Sequence, residues 1–165
     1  MKGFRPRLLA FLRAHRVLTV AVAEPDDTPY AAALFYAVDP QLRFYVVSDP
    51  ATRHGTAMLA RGTVAGTVQR DEQQWHEIQG VQFRGPCRQL AGAARSRAWA
   101  LYVTRFPFVS TGDVLLTAAL MKTALWCIEP EWVRLIDNRL GFGHKEEWHR
   151  HRRRTSEDKV QPGVE

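Results

Sequence analysis

Residues 44–67 read FYVVSDPATRHGTAMLARGTVAGT, and the changes of pattern inside this stretch decide the expected fold. FYVVS is aromatic and β-branched, the composition of a strand, and Asp49-Pro50 stops it. Thr52 can cap a helix over 53–60, and Gly62 closes that helix. TVAGTVQ (63–69) then returns to strand composition. The start of the helix carries Ser48, Thr52, Arg53 and His54. Free backbone N–H groups and the positive end of the helix dipole meet two hydroxyls and a guanidinium there, a set suited to a phosphomonoester. Gly55 would let a ligand or another backbone come close. The same residues also suit a plain capped helix with Arg53 and His54 in solvent, and the pattern alone leaves both readings open.

Upstream, Phe4, Leu8, Leu9 and Leu12 fall on one stripe of a helix over 4–16. VLTVAVA (17–23), YAAALFYAV (30–38) and LRFYVVS (42–48) are strands, and the short turn Asp39-Pro40-Gln41 makes the last two an antiparallel hairpin. Downstream, 71–76 is a polar loop, and 77–91 is a long strand with a bulge or bend expected at Gly85-Pro86. A helix over 93–106 stops at Pro107, segment 113–121 is ambiguous between helix and loop, and 123–129 and 132–138 are strands split at Pro130. The sum is a mainly β protein: a barrel of six or seven antiparallel strands with flanking helices, closed so that no edge is left exposed.

The chain has 165 residues, 45 % hydrophobic and 24 % charged, which suits one globular domain and excludes disorder or low complexity as the main state. No apolar run approaches the roughly 20 residues of a membrane span. Asp and Glu number 17 against 23 Lys and Arg, for a net charge of +6. Lys occurs only at 2, 122, 145 and 159, so the basic set is dominated by Arg, the better fork for phosphate and carboxylate. The surplus belongs to the body: the run HRHRRR (149–154) precedes acidic residues, and 144–165 as a whole carries only +1. The expected organisation is a barrel domain over 1–143 and a basic-then-acidic tail over 144–165, partly disordered. Cys87 and Cys127 read as buried reduced thiols of a cytoplasmic protein. Arg13, His15 and Arg16 break the N-terminal apolar stretch, so it reads as an amphipathic helix followed by a strand rather than as a signal peptide.

The order of elements resembles the FMN-binding split barrel of the pyridoxamine-phosphate-oxidase superfamily over about residues 4–137. A closer likeness is to an uncharacterised bacterial subfamily. It rests on Thr52-Arg53-His54-Gly55, Val64-Ala65-Gly66-Thr67, Ile78 to Gly85, and Leu140-Gly141-Phe142-Gly143-His144 followed by Trp148. The resemblance implies a homodimer with FMN at its interface. It places the flavin phosphate against Ser48, Thr52 and Arg53, with His54 adjacent. The flavin ring would run beside Leu34, Phe35 and Tyr36, with Gln79 or Gln82 on the long strand. Many members of the superfamily have Lys where this chain has Arg53. The function implied is flavin-dependent redox chemistry on a small molecule, with no protein acid or base required. The alternative is a non-catalytic barrel that holds haem or another anionic cofactor, with His54 or a histidine of the tail as ligand.

Other motifs carry less. His144, His149 and His151 lie near Glu146 and Glu147, but a polar tail has no fixed geometry for a metal. Gly141-Phe142-Gly143 lacks the third glycine of a dinucleotide fingerprint. The five tryptophans read as core and interface residues, and a nucleic-acid partner through HRHRRR is remote.

Overall fold

The computed structural model describes residues 3–150. The expected disorder beyond about 150, together with His151 and most of the HRHRRR run, falls outside the described residues. The chain runs through helix α1 (Phe4–Ala14), strands β1 (Val17–Ala23), β2 (Pro29–Val38) and β3 (Phe44–Ser48), helix α2 (Arg53–Arg61) and strand β4 (Thr63–Gln69). It continues through β5 (Gln79–Gln89), α3 (Gly92–Arg105), α4 (Val114–Leu120), β6 (Ala124–Ile128), β7 (Trp132–Asp137) and β8 (Lys145–His149). Six strands close on themselves in the order β4-β1-β2-β3-β6-β5, with β5 pairing back to β4. All pairings are antiparallel, as expected, and β7 and β8 extend the sheet beyond β5.

Burial follows from which faces are covered. β1, β4 and β7 alternate between buried and more exposed positions, because only their inner face meets the core. β3 is buried at almost every position, because α3 packs on its outer side. Inside the barrel, Phe44 and Phe83 stack at 4.5 Å between centroids. Gly66 makes room for that stack, since a Cβ there would lie 2.3 Å from the Phe83 ring. α1 closes one end with Leu8, Phe11 and Leu12, and α2 closes the other with Ala57 and Met58. Outside, Tyr45, Leu125 and Cys127 pack with Ala98, Tyr102 and Phe106.

Cys87 pairs with Ile128 and Cys127 with Arg88, one residue out of step, so the two thiols lie on opposite faces of the sheet. Cys87 belongs to the barrel core and Cys127 to the cluster under α3, and both are free and buried. Burial pushes both thiols up, to about 12 at Cys87 and about 11 at Cys127.

The long strand shows no break at Gly85-Pro86. There it changes partner instead: residues 79–84 pair with β7, and 87–89 pair with β6. The β6–β7 corner crosses at this point, with Glu129 N–H donating to Pro86 O and Glu131 N–H to Arg84 O, both at 2.9 Å. A Cβ on Gly85 would lie 2.4 Å from Glu129 O and 2.8 Å from Glu131 N.

Two further differences have local causes. Segment 113–121 resolves into α4, whose Asp113 carboxylate accepts from Leu116 N–H at 2.8 Å. β8 lies in the stretch read from sequence as the beginning of the tail. Its five residues KEEWH carry four polar side chains, which masks the strand pattern. It forms because Gly141 (φ 132°) and Gly143 (φ 74°) turn the chain sharply after β7. Glu147 then pairs across the strands with Arg134, and Trp148 packs against the barrel.

Gly85→Ala is expected to destabilise the fold by about 3 kcal/mol, because the added methyl meets backbone that cannot move without unpairing β5 from β6 or β7. The midpoint of urea unfolding checks this; an unchanged midpoint contradicts the account.

Candidate functional site

The first turn of α2 is built as the sequence suggests. Thr52 is the N-cap: its hydroxyl accepts from Gly55 N–H at 3.2 Å and donates to Asp49 O at 2.7 Å. Gly62, at φ 64°, ends the helix. Gly55 serves packing here, since a Cβ would lie 2.5 Å from Asp49 O and 2.8 Å from Pro50 O. That places the helix start against the end of β3 and brings Ser48, Thr52 and His54 together. His54 Nε2 lies 2.6 Å from Ser48 Oγ and 3.2 Å from Thr52 Oγ1. Trp126 anchors the same corner, its Nε1–H donating to Ser48 O at 3.1 Å.

The His54 ring is buried and stacks parallel to Tyr30, 6.3 Å between centroids. Its Nδ1 is buried without a hydrogen-bond partner among the described residues. Burial holds its pKa below 6.5, so the ring is neutral near pH 7. It therefore orients hydroxyls and supplies no positive charge. An imidazole enclosed in this way is also poorly placed as an open haem ligand.

Arg53 points the other way, toward the β1–β2 hairpin. Its Nε–H donates to Glu24 Oε1 at 2.9 Å, its second nitrogen meets Oε2 at 2.5 Å, and the guanidinium lies 4.8 Å from the centre of the Tyr30 ring. The arginine side chain is 63 % exposed, so this ion pair holds it weakly and can open. As an anion site, the turn fits in its helix N-terminus, its two hydroxyls and its guanidinium. It costs the exchange of Glu24 for the anion.

The remaining residues named from sequence are not gathered here. Phe35 is exposed on the outer face of β2 and packs edgewise with Phe108 and at a tilt against Phe106. Tyr36 points inward, fully buried, and its hydroxyl donates to Leu12 O at 2.6 Å. Burial raises that phenol well above its ordinary value. Gln79 lies near the α1 end of the barrel, its amide donating to Asp137 Oδ2 at 3.0 Å. Among the described residues no group of three or more His, Cys, Asp or Glu side chains could hold a metal.

The arrangement that sequence reading missed is the outer face of β2, β1, β4 and β5. Two rows of small side chains cross β2, β1 and β4 and end on longer polar ones of β5: Ala33, Thr19 and Thr67 lead to Gln82, and Ala31, Ala21 and Ala65 lead to Arg84. They leave a shallow cleft of about 330 Å³ bounded by Trp132. No single strand shows this surface; only the register does.

The fold and these features define a pyridoxamine-phosphate-oxidase-like split barrel. No family model matches the chain. It is 36 % identical over 141 residues to a UPF0306 protein of Klebsiella pneumoniae, covering 85 % of this chain and 89 % of that one. The chain belongs to the UPF0306 family. Its fold is similar to that of a heme binding protein from Mycobacterium smegmatis, with a TM-score of 0.74, 12 % identity and coverage of 90 % of this chain and 59 % of that one. It is also similar to a protein of the pyridoxinephosphate oxidase family, related to general stress protein 26, from Clostridium acetobutylicum. There the TM-score is 0.62 at 13 % identity, over 88 % and 94 % of the two chains. At these identities the likeness shows the fold. No helix among the described residues is long and apolar enough to cross a membrane.

A His54 pKa held below the unfolded value means that the unfolded chain binds the proton first. The stability that depends on neutral His54 is therefore complete above about pH 6.5 and declines as the pH falls through and below that value. His54→Gln is expected to reduce the drop in melting temperature between pH 7.5 and pH 5.5. An identical drop in both proteins contradicts the buried neutral ring.

Proposed function

We propose that this protein is a homodimeric FMN-binding split barrel that carries out flavin-dependent redox chemistry on a small molecule. The observation that carries the reading is the flat surface of Ala and Thr side chains across β2, β1 and β4, edged by Gln82 and Arg84 of β5 and adjoining the hairpin over which Arg53 reaches from the first turn of α2. Small residues let a planar ring lie on a sheet without steric cost, and a helix N-terminus favours a phosphate. In this reading Arg53 leaves Glu24 for the phosphate, with the Thr52 hydroxyl beside it. Ser48 and His54 hold that corner rigid. Gln82 and Arg84 offer polar groups to the edge of the ring.

The flavin, when bound, supplies the electron or hydride transfer, and the protein supplies position and the exclusion of water. Exposed Phe35 and Val17 on the same face, 46 % and 43 % exposed, support a second copy as its cover. The unpaired, buried cysteines agree with a cytoplasmic setting. Haem remains the competing ligand, but the enclosure of His54 gives it no favoured ligand at that position.

FMN titrated into the purified protein is expected to lose fluorescence and gain anisotropy on binding. Arg53→Ala should weaken binding about tenfold by removing a charge-assisted contact. Glu24→Gln should strengthen it about threefold by releasing Arg53 from an exposed ion pair. Ala33→Glu should give a monomer by sedimentation and lose FMN. A protein that leaves FMN fluorescence unchanged sinks the reading.

A further inference from the structure

A second site lies at the opposite end of the barrel. α2 precedes the first residue of β4 and Arg70 follows its last, so seven strand residues separate the two regions, about 20 Å. At the Arg70 end, between α1 and the ends of β4, β5 and β7, a cleft of about 400 Å³ opens. Its apolar wall comes from Phe11 and Leu135, with Ala10 and Ala14 one turn apart on α1. Around that wall stand Arg7, Arg70 and Arg139.

The charges there are only partly matched. Asp137 takes Arg139 in a two-point ion pair at 2.9 Å per contact, and Gln79 donates to the same carboxylate. These contacts hold Asp137 below the usual carboxylate range, Arg139 contributing most. Arg7 meets Glu146 through one terminal nitrogen, while its Nε is buried with no hydrogen-bond partner. A buried donor left in this state is costly, and a ligand oxygen would relieve it. The Arg70 guanidinium has no ion pair or hydrogen bond among the described residues. His15 Nδ1–H donates to Phe11 O, 2.8 Å away, which leaves Nε2 as the remaining ring nitrogen on the same lining. Of the three guanidiniums, Arg7 and Arg139 have carboxylate partners, in Glu146 and Asp137, and Arg70 has none among the described residues.

We infer that this cleft binds a small organic monocarboxylate with a flat apolar body. The body lies on Phe11, Leu135 and the two alanines, and the carboxylate takes Arg7 Nε–H and Arg70. A pocket of this size, mostly apolar with few convergent donors, is the ordinary form of a small-ligand site. A single guanidinium without a carboxylate partner suits a monoanion over a polyphosphate. The site is separate from the one proposed for FMN and does not depend on it.

The test titrates the full-length protein with 2-naphthoate and with neutral 2-naphthylmethanol, read by calorimetry and by saturation-transfer NMR. Naphthoate is expected to bind about tenfold more tightly than the alcohol, the worth of one charge-assisted contact. Arg70→Ala, a surface change that leaves the fold intact, should erase that difference, and Arg7→Gln should do the same. Ala14→Trp should block both ligands by filling the cleft. Arg53→Ala should leave naphthoate binding unchanged, and FMN should not displace it. Equal affinity for the acid and the alcohol, no saturable binding, or no effect of Arg70→Ala overturns the inference. Displacement by FMN overturns the claim of a separate site.

Discussion

The barrel depends on one close approach: the backbone of residues 129–131 crossing over Gly85. β5 must give one edge to β4 over residues 80–86 and divide the other between β7 and β6. Both of those strands come from one short stretch with Pro130 at its corner, and the corner has to pass directly across β5. Only a residue without a Cβ permits that, and the two flanking N–H groups of Glu129 and Glu131, donating to Pro86 O and Arg84 O, close the crossing. With the crossing made, β6 seals the barrel against β3 while β7 and β8 extend the sheet beyond it.

The division of β5 also separates the two ends of the molecule. At one end, α2 is pressed so tightly against the β3 terminus that its first turn satisfies most of its own polar groups. His54 Nε2, Ser48 and Thr52 hydrogen-bond among themselves, which leaves only His54 Nδ1 without a partner, and Arg53 is turned outward to Glu24. At the other end, α1 leaves a gap between itself and the strand ends, and there a buried arginine nitrogen lacks a partner. The enclosed polar cluster is rigid and largely satisfied, whereas the open one is incomplete. The flat face of Ala and Thr lies between them.

Much of the fold was legible because its signals are local. Thr52 as cap, Gly62 as stop, the turn at Asp39 and the alternation in β1 and β4 act within a few residues of one another. β8 was hidden because its charged residues face solvent and ion-pair across strands, so no apolar alternation marks it. The Gly85-Pro86 step read as a bend because the sequence shows the glycine but not the strand that crosses it. Ser48, Thr52 and His54 were found as a group, since they share one strand end and one helix start. Tyr36 and Gln79 sit on strands whose facing was clear only once the register was known.

By itself, the sequence determined most of the elements, β8 and α4 apart, together with their order, the barrel class and the cap that shapes the α2 turn, because each is set by short-range sterics and hydrogen bonding. The tertiary structure alone decided which partners those residues met. It gave Arg53 to Glu24, buried Tyr36 against α1, aligned alanines from three strands into one flat row and left Arg7 Nε without a partner. Those outcomes depend on register and on close approach between segments far apart in the chain, and neither is written in the spacing of residues along it.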